Sequence, residues 1–168
     1  MTRPLIITDC DEVLLHMVVP FRHWLDETHD VHFDMHDRSF AEALRHKDSG
    51  ERHHQQRIAQ LAALGLDFPV HWNQGGKGRP LADIVADRQP SIALFIDDLA
   101  EHHHSVATHA PDVWRLHMVG EAEIAAGVPA APYAHARIDD WVAAEAWIMQ
   151  RLAQGPAPKD IVTTGAMS

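Results

Sequence analysis

Two short acidic groups stand where carboxylates can do chemistry. Asp9-Cys10-Asp11 directly follows the apolar run Leu5-Ile6-Ile7-Thr8, and Asp97-Asp98 directly follows Ile92-Ala93-Leu94-Phe95-Ile96. Both runs are too short for helices and read as buried parallel strands, and parallel α/β sheets bind ligands beyond the carboxyl ends of their strands. If the chain stays extended past Thr8, the alternation of a strand puts Asp9 and Asp11 on one side and Cys10 on the other. Four carboxyl groups brought together repel one another and hold their protons more tightly. A Mg²⁺ ion, suited to carboxylates, water and phosphate oxygens, removes that penalty, so these acids are candidate metal ligands. The plainer readings are that Asp9 and Asp11 end a strand at a solvent edge, and that Asp97-Asp98 open the next helix, whose N-terminal end favours acids.

The surrounding elements decide whether the two groups can meet. The stretch from Val13 to about His46 is rich in aromatic residues and histidines. Phe21, Trp24 and Leu25 form a helical cluster just after Pro20, and Ser39 with Glu42 fits a capping box. It reads as a small helical cap inserted over residues 14–48, after the first strand. Ile58, Leu61, Ala62 and Leu64 recur at helical spacing and Gly65 is placed to end that helix. Phe68 to Trp72 looks strand-like. The glycine-rich turn Asn73 to Arg79 leads to Pro80, a good first residue for a helix through Leu81, Ile84 and Val85 that Pro90 ends. After the strand closed by Asp97, a helix and then a strand over Val113 to Val119 are expected. A last helix, N-capped by Asp139, carries Trp141, Ala144, Ile148 and Leu152 on one face. Beyond Gly155 the small residues offer little to bury, and the tail over 155–168 is expected to be mobile. Strands alternating with helices give the expected fold: one α/β domain over residues 1–154, a Rossmann-like parallel sheet flanked by helices.

Composition narrows the partners. The chain of 168 residues carries 24 acidic and 14 basic side chains, a formal charge of −10, which disfavours nucleic acid and anionic membranes as partners. Fifteen histidines add no charge at pH 7 but protonate in mild acid, so solubility should be poorest near the pI of 5.8. The single cysteine, Cys10, allows no intramolecular disulfide and no Cys-x-x-Cys motif, which fits a reducing compartment. Acids arrive too early for a signal-peptide core, and no stretch reaches membrane-spanning length, so a soluble, cytoplasmic protein is expected. Runs such as His102-His103-His104, and the pair His32 and His36, lack a zinc-ligand pattern; consecutive histidines on a helix diverge, and a polar surface role is the expectation. Trp114, Trp141 and Trp147 read as packing residues.

The acids and their context resemble the haloacid dehalogenase superfamily of phosphohydrolases. The first motif of that family, an apolar strand followed by Asp-x-Asp, is similar to Leu5-Ile6-Ile7-Thr8-Asp9-Cys10-Asp11-Glu12-Val13. Its lysine motif is similar to Lys77 in Gly75-Gly76-Lys77-Gly78-Arg79-Pro80, and its final acidic motif to Ala93-Leu94-Phe95-Ile96-Asp97-Asp98. The order agrees over residues 4 to about 119. The resemblance implies that Asp9 attacks phosphorus to form an aspartyl-phosphate, while Asp11 protonates the leaving group and then activates water. It also implies a Mg²⁺ held by Asp9, the backbone carbonyl of Asp11, Asp97 and Asp98, with Lys77 neutralising charge on the nucleophile and the phosphoryl oxygens. The substrate would be a small-molecule phosphate ester.

The second motif of the family, a Ser or Thr ending another apolar strand, has one counterpart here, Ser49, as a phosphate-binding hydroxyl. The residues before it, Ala43 to Asp48, are charged and helix-prone, whereas a central parallel strand should be apolar. The sequence is therefore short of a strand. This leaves a second reading, a catalytically impaired domain of the same ancestry that keeps only a binding role. A phosphoacceptor signalling domain also uses acids, a lysine and Mg²⁺, but in a different order along the chain.

Overall fold

The structure, a computed structural model, describes residues 3–11, 13–16, 19, 20, 27 and 50–158. Ser49, the expected helices near Pro20 and Ser39, His32, His36, and the tail from 159 onward lie outside the described residues. The chain divides into two compact units, Met1–Met17 with Gly75–Ser168, and Val18–Gln74.

The first unit is a parallel sheet clothed by helices. Its strands are β1 (Leu5–Thr8), β2 (Ala93–Asp97), β3 (Trp114–His117) and β4 (Ala136–Arg137), in the order β1-β2-β3-β4, and every neighbouring pair is parallel. The second unit supplies helix α1 (Gly50–Ala63); in the first unit follow α2 (Gly78–Arg88), α3 (Ala100–His109), the single turn α4 (Ala122–Ala125) and α5 (Trp141–Gln154). This is a Rossmann-like α/β fold.

Burial follows from alternation. All five residues of β2 are buried, because the strand is covered on both faces. Leu94 and Ile96 point to one side and pack with Trp114, Leu116 and Met118 against Ala144 and Ile148 of α5. Ala93 and Phe95 point to the other side and pack with Leu81 of α2 and Val106 of α3. Helix α5 starts one residue later than expected: Asp140, not Asp139, is its N-cap and accepts from the Ala143 N–H at 2.9 Å. Asp139 is used elsewhere, accepting from the Val119 N–H at 3.0 Å and pairing with Arg137.

Three expectations meet differences here. Phe68 to Trp72 joins no ladder; Phe68 and Trp72 are exposed and Pro69 has no N–H to give. Packing runs past Gly155, since Trp114 donates its indole N–H to the Gly155 carbonyl at 2.7 Å and Ala157 is buried in the α5-side core. Trp114 is a core residue and Trp147 packs beside it, whereas Trp141 is 42% exposed and donates to the Val13 carbonyl. Gly65 does end α1, with φ of 75°, and its N–H reaches back to the Ala62 carbonyl at 2.9 Å.

Strand β1 is an edge strand among the described residues. Its partner β2 lies on one side only, and Ile6 is 48% exposed.

Candidate functional site

The site forms where β1 and β2 run out. The register Thr8↔Ile96 continues through a hydrogen bond from the Asp9 N–H to the Ile96 carbonyl at 2.8 Å, so Asp9 and Asp97 leave adjacent parallel strands side by side. Alternation puts Asp97 on the same face as Phe95, toward α2 and α3. Both helices then supply a partner. Lys77, the residue preceding α2, reaches the Asp9 carboxylate at 2.6 Å and the Asp97 carboxylate at 2.6 Å. From α3, His102 donates its Nδ1–H to the second Asp97 oxygen at 2.9 Å, and the Leu99 N–H donates to that same oxygen at 2.9 Å.

The placement of Lys77 depends on a close helix approach. At Gly78 an added Cβ would lie 2.0 Å from the Ser105 carbonyl oxygen of α3, and the Gly78 N–H donates to the Ser105 hydroxyl at 2.9 Å. Only glycine lets α2 begin against the α3 backbone. The neighbouring lysine is thereby brought over the strand ends.

Carboxylate oxygens of Asp9, Asp97 and Asp98 all lie within 4.8 Å of one another. Their protonation shows the strain of that grouping. Burial first, then the charges of Asp97 and Asp9, push Asp98 up to about 8. Burial and the Asp97 charge also hold Asp9 above the ordinary carboxylate value, more than Lys77 pulls it down. Burial acts on Asp97 in the same direction, but the His102 hydrogen bond and the Lys77 charge outweigh it and Asp97 is lowered. Burial works against the charge of Lys77, and the two flanking carboxylates overcome it and raise its pKa. Lys77 is therefore shared by Asp9 and Asp97, and the third acid, Asp98, is left holding a proton at neutral pH.

That donor set fits a hard divalent cation. It is made of carboxylate oxygens with no thiolate, they are mutually within ligand reach, and their negative charge exceeds what Lys77 offsets. Asp11 is not one of the three. It is half-buried and makes an isolated bridge with Leu15. The structure thus unites Asp9, Lys77, Asp97 and Asp98 of the residues singled out in the sequence, while Ser49 falls outside the described residues.

Sequence reasoning missed the histidines. The expectation of a surface role for His102 to His104 fails for two of them. His102 is turned onto Asp97, and His103 is fully buried with its Nε2–H on the Asp97 carbonyl at 3.0 Å. His104 alone behaves as expected, packing beside Tyr133 at the surface. His117 is also fully buried and donates from Nε2 to the Asp98 carbonyl at 2.8 Å. The usable signal was spacing: residues five and six places after a strand-ending acid fall on the first turn of the next helix, facing back to the strand end.

No protein-family model, curated protein or solved structure matches this chain. Among the described residues, no helix is long and apolar enough to cross a membrane.

Proposed function

We propose that the protein is a Mg²⁺-dependent phosphohydrolase that cleaves a small-molecule phosphomonoester through an aspartyl-phosphate on Asp9. The observation that carries this reading is Lys77 held at 2.6 Å from both Asp9 and Asp97 at the ends of adjacent parallel strands. Two carboxylates, a fixed cation and a third acid within ligand reach lie together there, which supports a nucleophile beside a metal site, the arrangement the resemblance to haloacid dehalogenases implies. Asp9 attacks phosphorus, the bond from phosphorus to the ester oxygen breaks, and the leaving oxygen takes the proton of Asp11. Asp11 then takes a proton from the water that attacks the phosphoryl group, releasing phosphate and restoring Asp9. Lys77 holds Asp9 in place and balances charge on the phosphoryl oxygens. Mg²⁺, held by Asp9, Asp97, Asp98 and the Asp11 carbonyl, would supply the positive charge that offsets the developing negative charge in the transfer.

One observation favours the second reading, a domain that binds without turnover. Strand β1 is at the sheet edge among the described residues, so no neighbouring strand there presents a hydroxyl to the phosphoryl group. Phosphate release from an aryl phosphate and a panel of small phosphate esters, with and without Mg²⁺, separates the two. The enzyme reading expects release that requires Mg²⁺ and falls at least 1,000-fold in Asp9→Asn, on the order of the loss when a covalent nucleophile is removed. Well-folded protein inactive across the panel supports the binding domain instead.

A further inference from the structure

Two consecutive backbone carbonyls of the acidic pair are each gripped by a buried imidazole. His103 of α3 donates from Nε2 to the Asp97 carbonyl at 3.0 Å, and His117, the last residue of β3, donates from Nε2 to the Asp98 carbonyl at 2.8 Å. Both rings are fully buried and meet edge to face with centroids 5.4 Å apart, so each fixes the plane of the other.

The proton position at His117 follows from its partners. Its Nδ1 accepts from the Ala131 N–H at 2.9 Å and from the Arg137 guanidinium at 3.2 Å, so the ring proton must sit on Nε2, where it faces the Asp98 carbonyl. Arg137 is itself tied to Asp139 and to the carbonyls of Val128 and Ala125. A continuous hydrogen-bonded chain therefore runs from Asp139 through Arg137 and His117 to the backbone of Asp98.

His103 shows that the imidazole is there for its donor. Its Nδ1 is buried with no hydrogen-bond partner among the described residues, a cost that a phenylalanine in the same space would avoid. Phe95 packs against the ring at 5.5 Å, so the surroundings are suited to an apolar aromatic. What the imidazole adds is the N–H on the Asp97 carbonyl.

We propose that His103 and His117 are positioning residues of the acidic site, fixing the Asp97-Asp98 backbone and so the direction in which both carboxylates point. This rests on the metal-binding reading of Asp9, Asp97 and Asp98. The two histidines stand to the carboxylate site as outer partners stand to metal ligands, whose loss costs on the order of 10–100-fold in metal affinity.

The test is Mg²⁺ affinity by titration calorimetry on the full chain, beside thermal unfolding. His117→Leu and His103→Leu are expected to bind Mg²⁺ on the order of 10–100-fold more weakly. His117→Gln and His103→Gln, which keep an N–H near the Nε2 position, should recover most of that loss. Val106→Ala, a cavity in the core on the α3 side, serves as the control for simple destabilisation and should leave Mg²⁺ affinity unchanged. Leucine variants that bind Mg²⁺ as tightly as wild type, or a loss that Val106→Ala reproduces, would overturn the proposal alone. Wild-type protein that binds no Mg²⁺ would overturn the metal-site reading beneath it as well.

Discussion

At the scale of single residues, Asp98 is the group that reports on the site. Its pKa, pushed up to about 8 by burial and by the charges of Asp97 and Asp9, makes it protonated at pH 7 while the other acids share Lys77. The sign is then fixed. In the metal-free protein the folded state holds this proton more tightly than the unfolded chain, whose carboxyl has the ordinary value of 3.8. Asp98 therefore stabilises the fold in acid, and the contribution is lost as the pH rises from about 4 to about 8. A divalent ion binding to Asp98 must displace that proton, so Mg²⁺ affinity should rise with pH, by at most tenfold per unit, and level off above about 8. Calorimetry in buffers of different ionisation heat should show proton release on Mg²⁺ binding at pH 6.5 to 7, and less of it in Asp98→Asn. Affinity independent of pH, with no proton released, would remove Asp98 from the metal site. The acids were legible in the sequence because a buried parallel strand is an apolar run, and Asp9 and Asp97-Asp98 interrupt such runs abruptly. The histidines were not legible from residue type, which is the same for His103, fully buried, and for His104 beside it; only their spacing from Asp97 separates them.

At the scale of elements, the site depends on the contact between α2 and α3. Gly78 makes that contact possible, since a Cβ there would strike the Ser105 carbonyl oxygen and carbon at 2.0 and 2.5 Å, and backbone atoms cannot turn aside. Gly78→Ala should force α2 outward, costing roughly 1–3 kcal/mol as overpacking does. It should also carry Lys77 away from Asp9 and Asp97. Denaturant unfolding with parallel kinetics checks this: kcat should fall at least tenfold under conditions where the variant is still folded. An alanine variant with unchanged stability and kcat would contradict the dependence of Lys77 on this contact. The strands β1, β2 and β3 and the helices around Leu81 and Ile148 were visible from apolar runs and helical spacing. Strand β4 was not, because Ala136–Arg137 is two residues long and is defined by its partners Leu116 and His117, which local sequence does not show. The segment from Phe68 to Trp72 misled for the opposite reason: its residue types suit a strand, but a strand needs a neighbouring edge as well as a propensity.

At the scale of the whole molecule, the charge of −10 has a local part. Asp9, Asp97 and Asp98 cluster at the strand ends and Lys77 bridges only the first two, an imbalance that a divalent cation could answer. The sequence reads as short of a central apolar strand before the second acidic pair. Whether turnover survives that shortage is the central question, and it has a direct chemical test. The intermediate should accumulate when water activation is removed but the nucleophile is kept. Asp11→Asn should therefore be mixed with an activated aryl phosphate and Mg²⁺, quenched in acid and digested, and the peptide containing Asp9 weighed by mass spectrometry. The expected result is a peptide heavier by one phosphoryl group, absent without Mg²⁺, absent in the Asp9→Asn, Asp11→Asn double variant, and lost on treatment with hydroxylamine. Phosphate release by the wild-type protein with no phosphoryl group ever found on Asp9, or a label that persists in the double variant, would contradict the account.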